Sequence, residues 1–285
     1  MDTTRSRVKM PCPTNQRMAS RPSRRSHPAG PASRRTGRSH TYRRQKRMKA
    51  IALILAALAG TASAADCGPD KLNTERTIIL KREGAAYGAL QHSALPLKKG
   101  EVVLTFDDGP SPENTPLVLK ALSDQCAKAT FFLVGQNITQ NPELARREVS
   151  EGHSAGIHSD THPNLGSLSP EQQLEDLKRS RAAYKAVFGV ETPAYRFPFL
   201  AETPTMLEAL KQANITVASI DMGINDWIPE DTTAILAQRL KDSLDKSGSG
   251  IILMHDANGP TAKALPTLLQ VLKDKGYKVV HLEWQ

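Results

Sequence analysis

Short apolar runs alternate with longer amphipathic stretches along most of this chain. The runs are continuous and rich in β-branched and aromatic residues, which is typical of parallel strands buried on both faces. The strands predicted from this pattern lie at 77–80, 102–106, 129–134, 154–158, 194–197, 216–220, 250–254 and 279–282.

The stretches between the predicted strands have the periodicity and the end signals of helices. Ser169 before Pro170, and Thr203 before Pro204, place an N-cap residue ahead of a proline at the first helical position. Gly189 stands where a C-cap is expected. The predicted helices lie at 115–125, 142–151, 169–187, 232–246 and 266–275, with one more that starts at 203.

Strands that alternate with helices over short connections predict an α/β fold with a parallel sheet. The unusual polar residues of the chain follow the carboxyl ends of the predicted strands, which is where the active sites of (β/α) barrels lie. A distorted or incomplete (β/α) barrel of about seven βα units is therefore favoured over an open doubly wound sheet.

The positive charge of the chain is concentrated near its beginning. Residues 1–64 carry 15 Lys and Arg against one acid, whereas the remaining 221 residues carry 23 basic and 28 acidic side chains. The body of the protein is thus mildly acidic, which argues against nucleic-acid binding. Residues 1–47 are predicted to be a disordered basic leader, either a leader extension or a stretch upstream of the true start.

Residues 48–64 have the pattern of a secretory signal peptide. Basic residues around Met48 precede an apolar run at 50–60 and the small residues Ala62-Ser63-Ala64. This pattern predicts cleavage near Ala64 and export to the periplasm or the medium. The apolar run is too short for a permanent membrane span.

The exported chain is predicted to consist of an N-terminal segment at 65–98 and one folded domain at 99–285. It contains two cysteines, Cys67 and Cys126. An oxidising compartment would permit a disulfide between them, and two unpaired buried thiols are the alternative.

Candidate metal ligands follow two of the predicted strands. Asp107 and Asp108 end one strand, and residues of an extended backbone alternate in direction, so the two carboxylates are expected to face different surroundings. His158 and His162 follow another strand at a spacing that can face one side of a helical turn. Two histidines and a carboxylate suit Zn²⁺ or another first-row divalent ion, whereas the alternative is two solvated loop histidines.

Three further strand ends carry polar residues. Arg196 follows an apolar strand and needs a carboxylate partner, and His255 can be a core residue or a general acid. Asp221 and Asp226 precede Trp227, which can be a packed side chain or a contact for a sugar or an acyl group.

The five motifs, taken in order, resemble those of carbohydrate esterase family 4, the polysaccharide deacetylases that include chitin and peptidoglycan N-deacetylases. The motifs lie at 105–110, 158–162, 196–199, 221–227 and 253–255. The resemblance spans about residues 101–282 and implies that residues 99–285 form a polysaccharide deacetylase catalytic domain.

By this resemblance, Asp108, His158 and His162 would bind one divalent metal ion, with Zn²⁺ expected and Co²⁺ or another first-row ion as alternatives. Asp107 would be the general base, and Arg196 would position it. The family's reaction is the hydrolysis of an acetamide.

The resemblance also implies roles for the remaining motif residues. His255 would protonate the departing amine and would be oriented by Asp226. The backbone N–H of Phe199 would stabilise the oxyanion, and Trp227 and Leu253 would line the slot for the acetyl methyl group.

The expected activity is the removal of N-acetyl groups from an amino-sugar-containing glycan, with release of acetate. The alternatives are a deacylase, deformylase or O-acetyl esterase acting on another glycan or a lipid-linked sugar, and a non-catalytic sugar-binding relative. The expected partner is the N-acetylated glycan, and the protein is expected to be a monomer. The chain departs from the family pattern where Phe199 and Leu200 replace Tyr and Gly, and the bulk of Leu200 could alter the groove wall.

Overall fold

The computed structural model describes residues 67–285, so the predicted leader and signal peptide at 1–64 lie outside the described residues. Within residues 67–285, ten strands form one sheet, and every strand pair in it is parallel. The strands are β1 (Thr74–Leu80), β2 (Ala86–Tyr87), β3 (Glu101–Asp107), β4 (Thr130–Leu133), β5 (Ser154–Ile157), β6 (Ala194–Tyr195), β7 (Thr216–Ala218), β8 (Met222–Gly223), β9 (Gly250–His255) and β10 (Lys278–Trp284).

Seven of these strands form the wall of an incomplete barrel, in the order β8-β9-β3-β4-β5-β6-β7. No pairing joins β7 to β8 among the described residues, and β2 pairs with the free edge of β7 instead. The prediction of a distorted parallel barrel is confirmed. The membership of its wall differs from the sequence pattern, because the short strand β8 was missed.

The predicted strand at 279–282 is real, but it does not belong to the wall. It forms β10, which pairs with β1 along its length and with only the first two residues of β3. Trp284 packs with Phe132, Ala194 and Ala218, and its indole N–H donates to Thr216. β10 therefore packs against side chains of the barrel strands.

In the described part of the chain, seven α-helices connect the strands: α1 (Thr115–Asp124), α2 (Gly135–Gln140), α3 (Pro142–Ser150), α4 (Pro170–Phe188), α5 (Pro204–Gln212), α6 (Thr233–Ser247) and α7 (Gly259–Asp274). Ser169 caps α4 with a complete capping box, Thr203 caps α5, and Gly189 ends α4 in a left-handed conformation, as predicted. Helix α2 was missed. Helix α7 begins seven residues before the predicted start, with Pro266 inside it.

The segment before β3 is joined to the domain along much of its length. A disulfide links Cys67 to Cys126, Leu72 is buried in the main core, and Arg76 donates two hydrogen bonds to the buried carboxylate of Glu101. None of the helices in the described part of the chain is long and apolar enough to span a bilayer.

Candidate active site

The polar side chains of the predicted motifs meet at the carboxyl ends of the barrel strands. They line a pocket of about 460 Å³, and its walls are formed by Asp107, Asp108, His158, His162, Phe197, Phe199, Leu200, Trp227, Leu253 and His255. Strands β3 and β9 pair so that Asp107 lies beside His255. The carboxyl ends of parallel strands lie at the same end of a barrel, which explains why residues distant in sequence meet here.

Asp107 and Asp108 face the same pocket. The backbone of Asp108 is left-handed, with φ of 75°, so the strand alternation stops at Asp107. Both carboxylates reach His158, at 3.7 Å from Asp107 Oδ2 and 3.5 Å from Asp108 Oδ1 to the ring Nε2. The two side chains therefore do not point in opposite directions as strand alternation predicted, but their surroundings do differ, because Asp107 is buried and Asp108 is only half-buried.

His158 presents a lone pair to this cluster. Its Nδ1 lies 2.8 Å from the carbonyl oxygen of Arg196, which can only accept, so Nδ1 carries the proton and Nε2 does not. Burial lowers the pKa of His158 to about 3, and repulsion from His162 and Arg196 acts in the same direction, so the ring is neutral.

The donor set fits a metal ion. Asp108 Oδ1 is buried without a hydrogen-bond partner in the described chain, yet it lies 3.3 Å from His162 Nε2 and 3.5 Å from His158 Nε2. A carboxylate oxygen beside an imidazole lone pair is unfavourable unless a cation lies between them. The ligand atoms of the three residues all lie within 4.8 Å of one another. A carboxylate and two imidazoles are the ligand types that a first-row divalent ion takes.

The two histidines are carried by a loop and not by the helical turn that the spacing suggested. The loop is held from two sides. The first two N–H groups of α2 donate to the carbonyls of Ser159 and Asp160, each at 3.0 Å. The buried carboxylate of Asp176 on α4 accepts from the backbone N–H of Asp160 at 3.0 Å. A side chain at Gly135 would collide with Asp160, so glycine allows this close approach.

Arg196 lies inside the barrel and is fully buried. Its guanidinium donates to Asp107 Oδ1 at 2.7 Å and to the hydroxyl of Thr105 at 2.8 Å. It also donates to the carbonyls of Ala218 and Ser219, and it stacks over the ring of Phe132 at 4.2 Å. Burial raises the pKa of Asp107, whereas the charges of Arg196 and His255 oppose that shift.

His255 is paired with a buried carboxylate. Its Nδ1 lies 2.8 Å from Asp226 Oδ1, and its backbone N–H donates to Asp226 Oδ2 at 2.8 Å. Burial lowers the pKa of His255, but the hydrogen bond and charge of Asp226, with smaller contributions from Asp107 and Asp108, outweigh it and raise the pKa to about 9. The ring is therefore an imidazolium at neutral pH when no cation is bound.

The two aspartates of the fourth motif have different surroundings. Asp226 also accepts from the hydroxyl of Thr261 on α7, a residue that no sequence motif indicated. Asp221 instead accepts from the backbone N–H groups of Ala89 and Ile251, at 2.7 Å each. Its role is to join backbone segments, and it does not line the pocket.

The rim of the pocket is apolar and aromatic. Phe199 and Trp227 are 67% and 55% exposed, which is unusual for large apolar side chains and leaves both available to a ligand. Phe199 packs edge-on against His162, and Trp227 packs edge-on against His255. Phe199 has φ of 57°, a left-handed conformation that costs a non-glycine residue about 1–3 kcal/mol.

Comparison with known proteins gives consistent matches. A family model described as polysaccharide deacetylase matches residues 94–218. The peptidoglycan-N-acetylglucosamine deacetylase PgdA of Listeria monocytogenes is 33% identical over 182 residues, which is 64% of this chain and 38% of that protein. The chain thus matches well under half the length of this relative.

Two other proteins are matched over more of their length. The chitooligosaccharide deacetylase of a Bradyrhizobium strain is 30% identical over 193 residues, covering 62% of this chain and 87% of that protein. The solved structure of a peptidoglycan deacetylase from Bdellovibrio bacteriovorus superposes with a TM-score of 0.66 at 29% identity, covering 73% of this chain and 58% of that one.

Proposed function

The chain belongs to the polysaccharide deacetylase family, carbohydrate esterase family 4, and on that premise we propose that it hydrolyses the N-acetyl amide of an amino-sugar-containing glycan and releases acetate. One observation carries this proposal. Asp107 and His255 are neighbours on paired strands, and both line the pocket that holds the ligand cluster of Asp108, His158 and His162.

Asp108, His158 and His162 would hold a divalent cation, for which Zn²⁺ is the proposed ion because two imidazoles and one carboxylate match its preferred ligands. When bound, the cation lowers the pKa of a coordinated water and polarises the acyl oxygen. The neutral state of His158 is the state that a ligand needs.

Asp107 would act as the general base. Its Oδ1 is held by Arg196, which leaves Oδ2 facing the ligand cluster at 3.7 Å from His158 Nε2. Burial favours the protonated acid, and a base with a raised pKa accepts a proton more readily once the reaction begins. Arg196 would position the carboxylate without leaving the barrel interior.

His255 would act as the general acid that protonates the departing amine. The raised pKa keeps its Nε2 protonated near neutral pH, and the bond from Nδ1 to Asp226 fixes the ring orientation. The surroundings of Asp107 suit a group that accepts a proton, and those of His255 suit a group that donates one. Many acid–base sites assign the two roles in this way.

The backbone N–H of Phe199 would stabilise the developing oxyanion. The two hydrogen bonds that close its turn are donated by Leu200 and Ala201, so neither of them uses this N–H. Trp227 and Leu253 would contact the methyl group of the acetyl moiety, since both line the apolar side of the pocket.

The setting of this activity would be outside the cytoplasm. The signal-peptide pattern at 48–64 supports export, and the disulfide between Cys67 and Cys126 suits an oxidising compartment. The proposed partition of the chain is a leader at 1–47, a signal peptide at 48–64, an N-terminal segment at 65–98 and a catalytic domain at 99–285.

Acetate release tests the proposal. The chain is incubated with chitooligosaccharides, peptidoglycan fragments and acetylated xylan, before and after chelation and with metal added back. We expect release from an N-acetylated substrate that stops on chelation and returns with Zn²⁺. The matched variants are Asp107→Asn, which should release acetate about two to four orders of magnitude more slowly, and Asp242→Asn on the exposed face of α6, which should be as active as the parent. Release from xylan alone would identify an O-acetyl esterase, and no release by a chain that binds Zn²⁺ would refute catalysis.

A further inference from the structure

The turn Pro198–Leu200 carries Phe199 and has a strained backbone. The hydrogen bonds within the turn do not account for this strain. Phe199 and Leu200 both have left-handed backbones, with φ of 57° and 55°. Two adjacent non-glycine residues adopt this conformation only where the surroundings impose it. The bonds within the turn run from Leu200 to Phe197 and from Ala201 to Pro198, each at 3.0 Å.

A side chain from the N-terminal segment bonds directly to this turn. Gln91 Nε2 donates to the carbonyl of Leu200 at 2.9 Å, and its Oε1 accepts from the hydroxyl of Ser219 at 2.6 Å. The carbonyl of Leu200 can only accept, so the nitrogen of the amide must face it. Ser219 is also the residue whose carbonyl accepts from Arg196. Gln91 therefore joins the Phe199 turn to the strand end that holds Arg196.

A second contact lies beside the first. His92 Nε2 and Glu202 Oε1 are 2.6 Å apart, and both side chains are largely buried. Glu202 lies directly after the turn, so the pair fixes its far end. His92 and Gln91 thus reach the turn region from one short segment, at two points.

The segment itself is seated firmly. The backbone N–H of Leu90 donates to the carbonyl of Ile220 at 3.0 Å, and that of Ala89 donates to Asp221 at 2.7 Å. Gly88 has φ of 112°, and a Cβ there would lie 2.5 Å from the backbone of Ser219. Only glycine allows so close an approach, so residues 88–92 are anchored before they reach the turn.

We infer that Gln91 and His92 are positioning residues for the reaction: they hold the turn so that the Phe199 N–H points where the oxyanion forms. The catalytic consequence of this inference rests on the proposed function. The stabilisation of the turn by Gln91 and His92 rests only on their contacts with Leu200 and Glu202. The two residues lie before residue 94, where the family match begins.

The test uses the full chain with the double substitution Gln91→Met and His92→Leu, which removes all three side-chain polar contacts of these two residues and keeps similar volume. The control is Gln212→Met, which removes a comparable side-chain hydrogen bond, to Glu208, on the exposed face of α5. Amide hydrogen exchange at Leu200 and Ala201 reports on the turn. Acetate release reports kcat and KM, and Zn²⁺ titration reports the affinity of the ligand cluster.

We expect exchange at Leu200 and Ala201 to be about tenfold faster in the double variant, because the turn opens more often. We expect kcat to fall about tenfold to a hundredfold, with KM and Zn²⁺ affinity within about twofold, because a misplaced donor affects the transition state alone. The control should match the parent chain in all four measurements.

Each part of the inference can fail separately. Unchanged amide exchange at Leu200 and Ala201 in the double variant would show that Gln91 and His92 do not stabilise the turn, whether or not the chain is active. Faster exchange with unchanged kcat would overturn the catalytic consequence, and a raised KM at constant kcat would assign the two residues to direct substrate contact. A parent chain that releases no acetate would refute the proposed function. The exchange measurement would still show whether Gln91 and His92 stabilise the turn.

Discussion

Asp226 is the main reason that His255 is protonated, and Asp226→Asn isolates that effect. The asparagine keeps the size of the side chain and can still accept from Nδ1 of the ring, but it carries no charge. Asp226 is fully buried, so its charge is poorly screened by solvent and acts strongly on the imidazole 2.8 Å away. The predicted result is a large fall in the pKa of His255.

The size of the effect follows from the pKa of about 9. Relative to the reference value of about 6.5, the protein favours the protonated ring by about 3 kcal/mol. Burial opposes protonation, and Asp226 supplies the largest opposing contribution, so removing its charge should lower the pKa by about two units. At pH 8 the protonated fraction would then fall from about nine-tenths to about one-tenth.

The same shift predicts a change in stability with pH. The folded-state pKa of His255 lies above its unfolded value, so its contribution is complete below about pH 6.5 and is lost as the pH rises through about 9. The cation-free parent should therefore lose about 3 kcal/mol of unfolding free energy across that window through this group, and Asp226→Asn should lose much less.

Two measurements on the cation-free chain check the prediction. An NMR titration of the His255 ring gives its pKa directly, and urea unfolding at pH 6.5 and pH 9 gives the stability difference. Asp242→Asn, on the exposed face of α6, is the control, and its His255 ring should titrate as it does in the parent. A His255 pKa that moves by less than about half a unit in Asp226→Asn would refute the reasoning.

Three further predictions concern other parts of the molecule. Asp107→Asn should lower kcat by about two to four orders of magnitude with Zn²⁺ affinity retained, as measured by acetate release and calorimetric titration, and near-normal turnover would rule out the base assignment. Asp176→Ala should weaken Zn²⁺ binding about tenfold in the same titration, because it removes the acceptor of the Asp160 N–H and loosens the loop that carries His162; an unchanged affinity would mean that α2 alone holds the loop. Burial lowers the pKa of His153 to about 3, so this group alone should cost the parent about 1.4 kcal/mol of stability per pH unit as the pH falls below about 6.5. His153→Asn, which keeps an acceptor for the N–H of Ala129, should have a flatter profile in urea unfolding between pH 6 and pH 4, and an equal slope would place the acid sensitivity elsewhere.

Local signals in the sequence were enough to predict most of the fold. Ser169 and Thr203 mark helix starts because an N-cap bond needs only residues within one turn. The two-residue strands β2 and β8 were missed because they have no periodicity to detect. Pro266 suggested a helix start, whereas in the structure it lies inside α7, whose buried face outweighs the missing hydrogen bond.

The polar residues that line the pocket could be predicted because each ends a barrel strand or lies in the loop directly after one. The residues that support them could not. Asp176 acts on a loop 16 positions away, Thr261 acts on Asp226 across 35 positions, and Gln91 reaches Leu200 across 109. Nothing local to these residues distinguishes them from ordinary surface or helix positions.

The burial of Arg196 has a consequence for how this protein can change. The guanidinium contacts groups on β3, β4 and the end of β7. Moving the carboxylate of Asp107 to another position would therefore require several coordinated substitutions in the barrel interior. The aromatic rim has no such constraint, since Phe199 and Trp227 project into solvent from loops. Evolution and laboratory selection should therefore retain the chemistry and diversify the substrate through single rim substitutions.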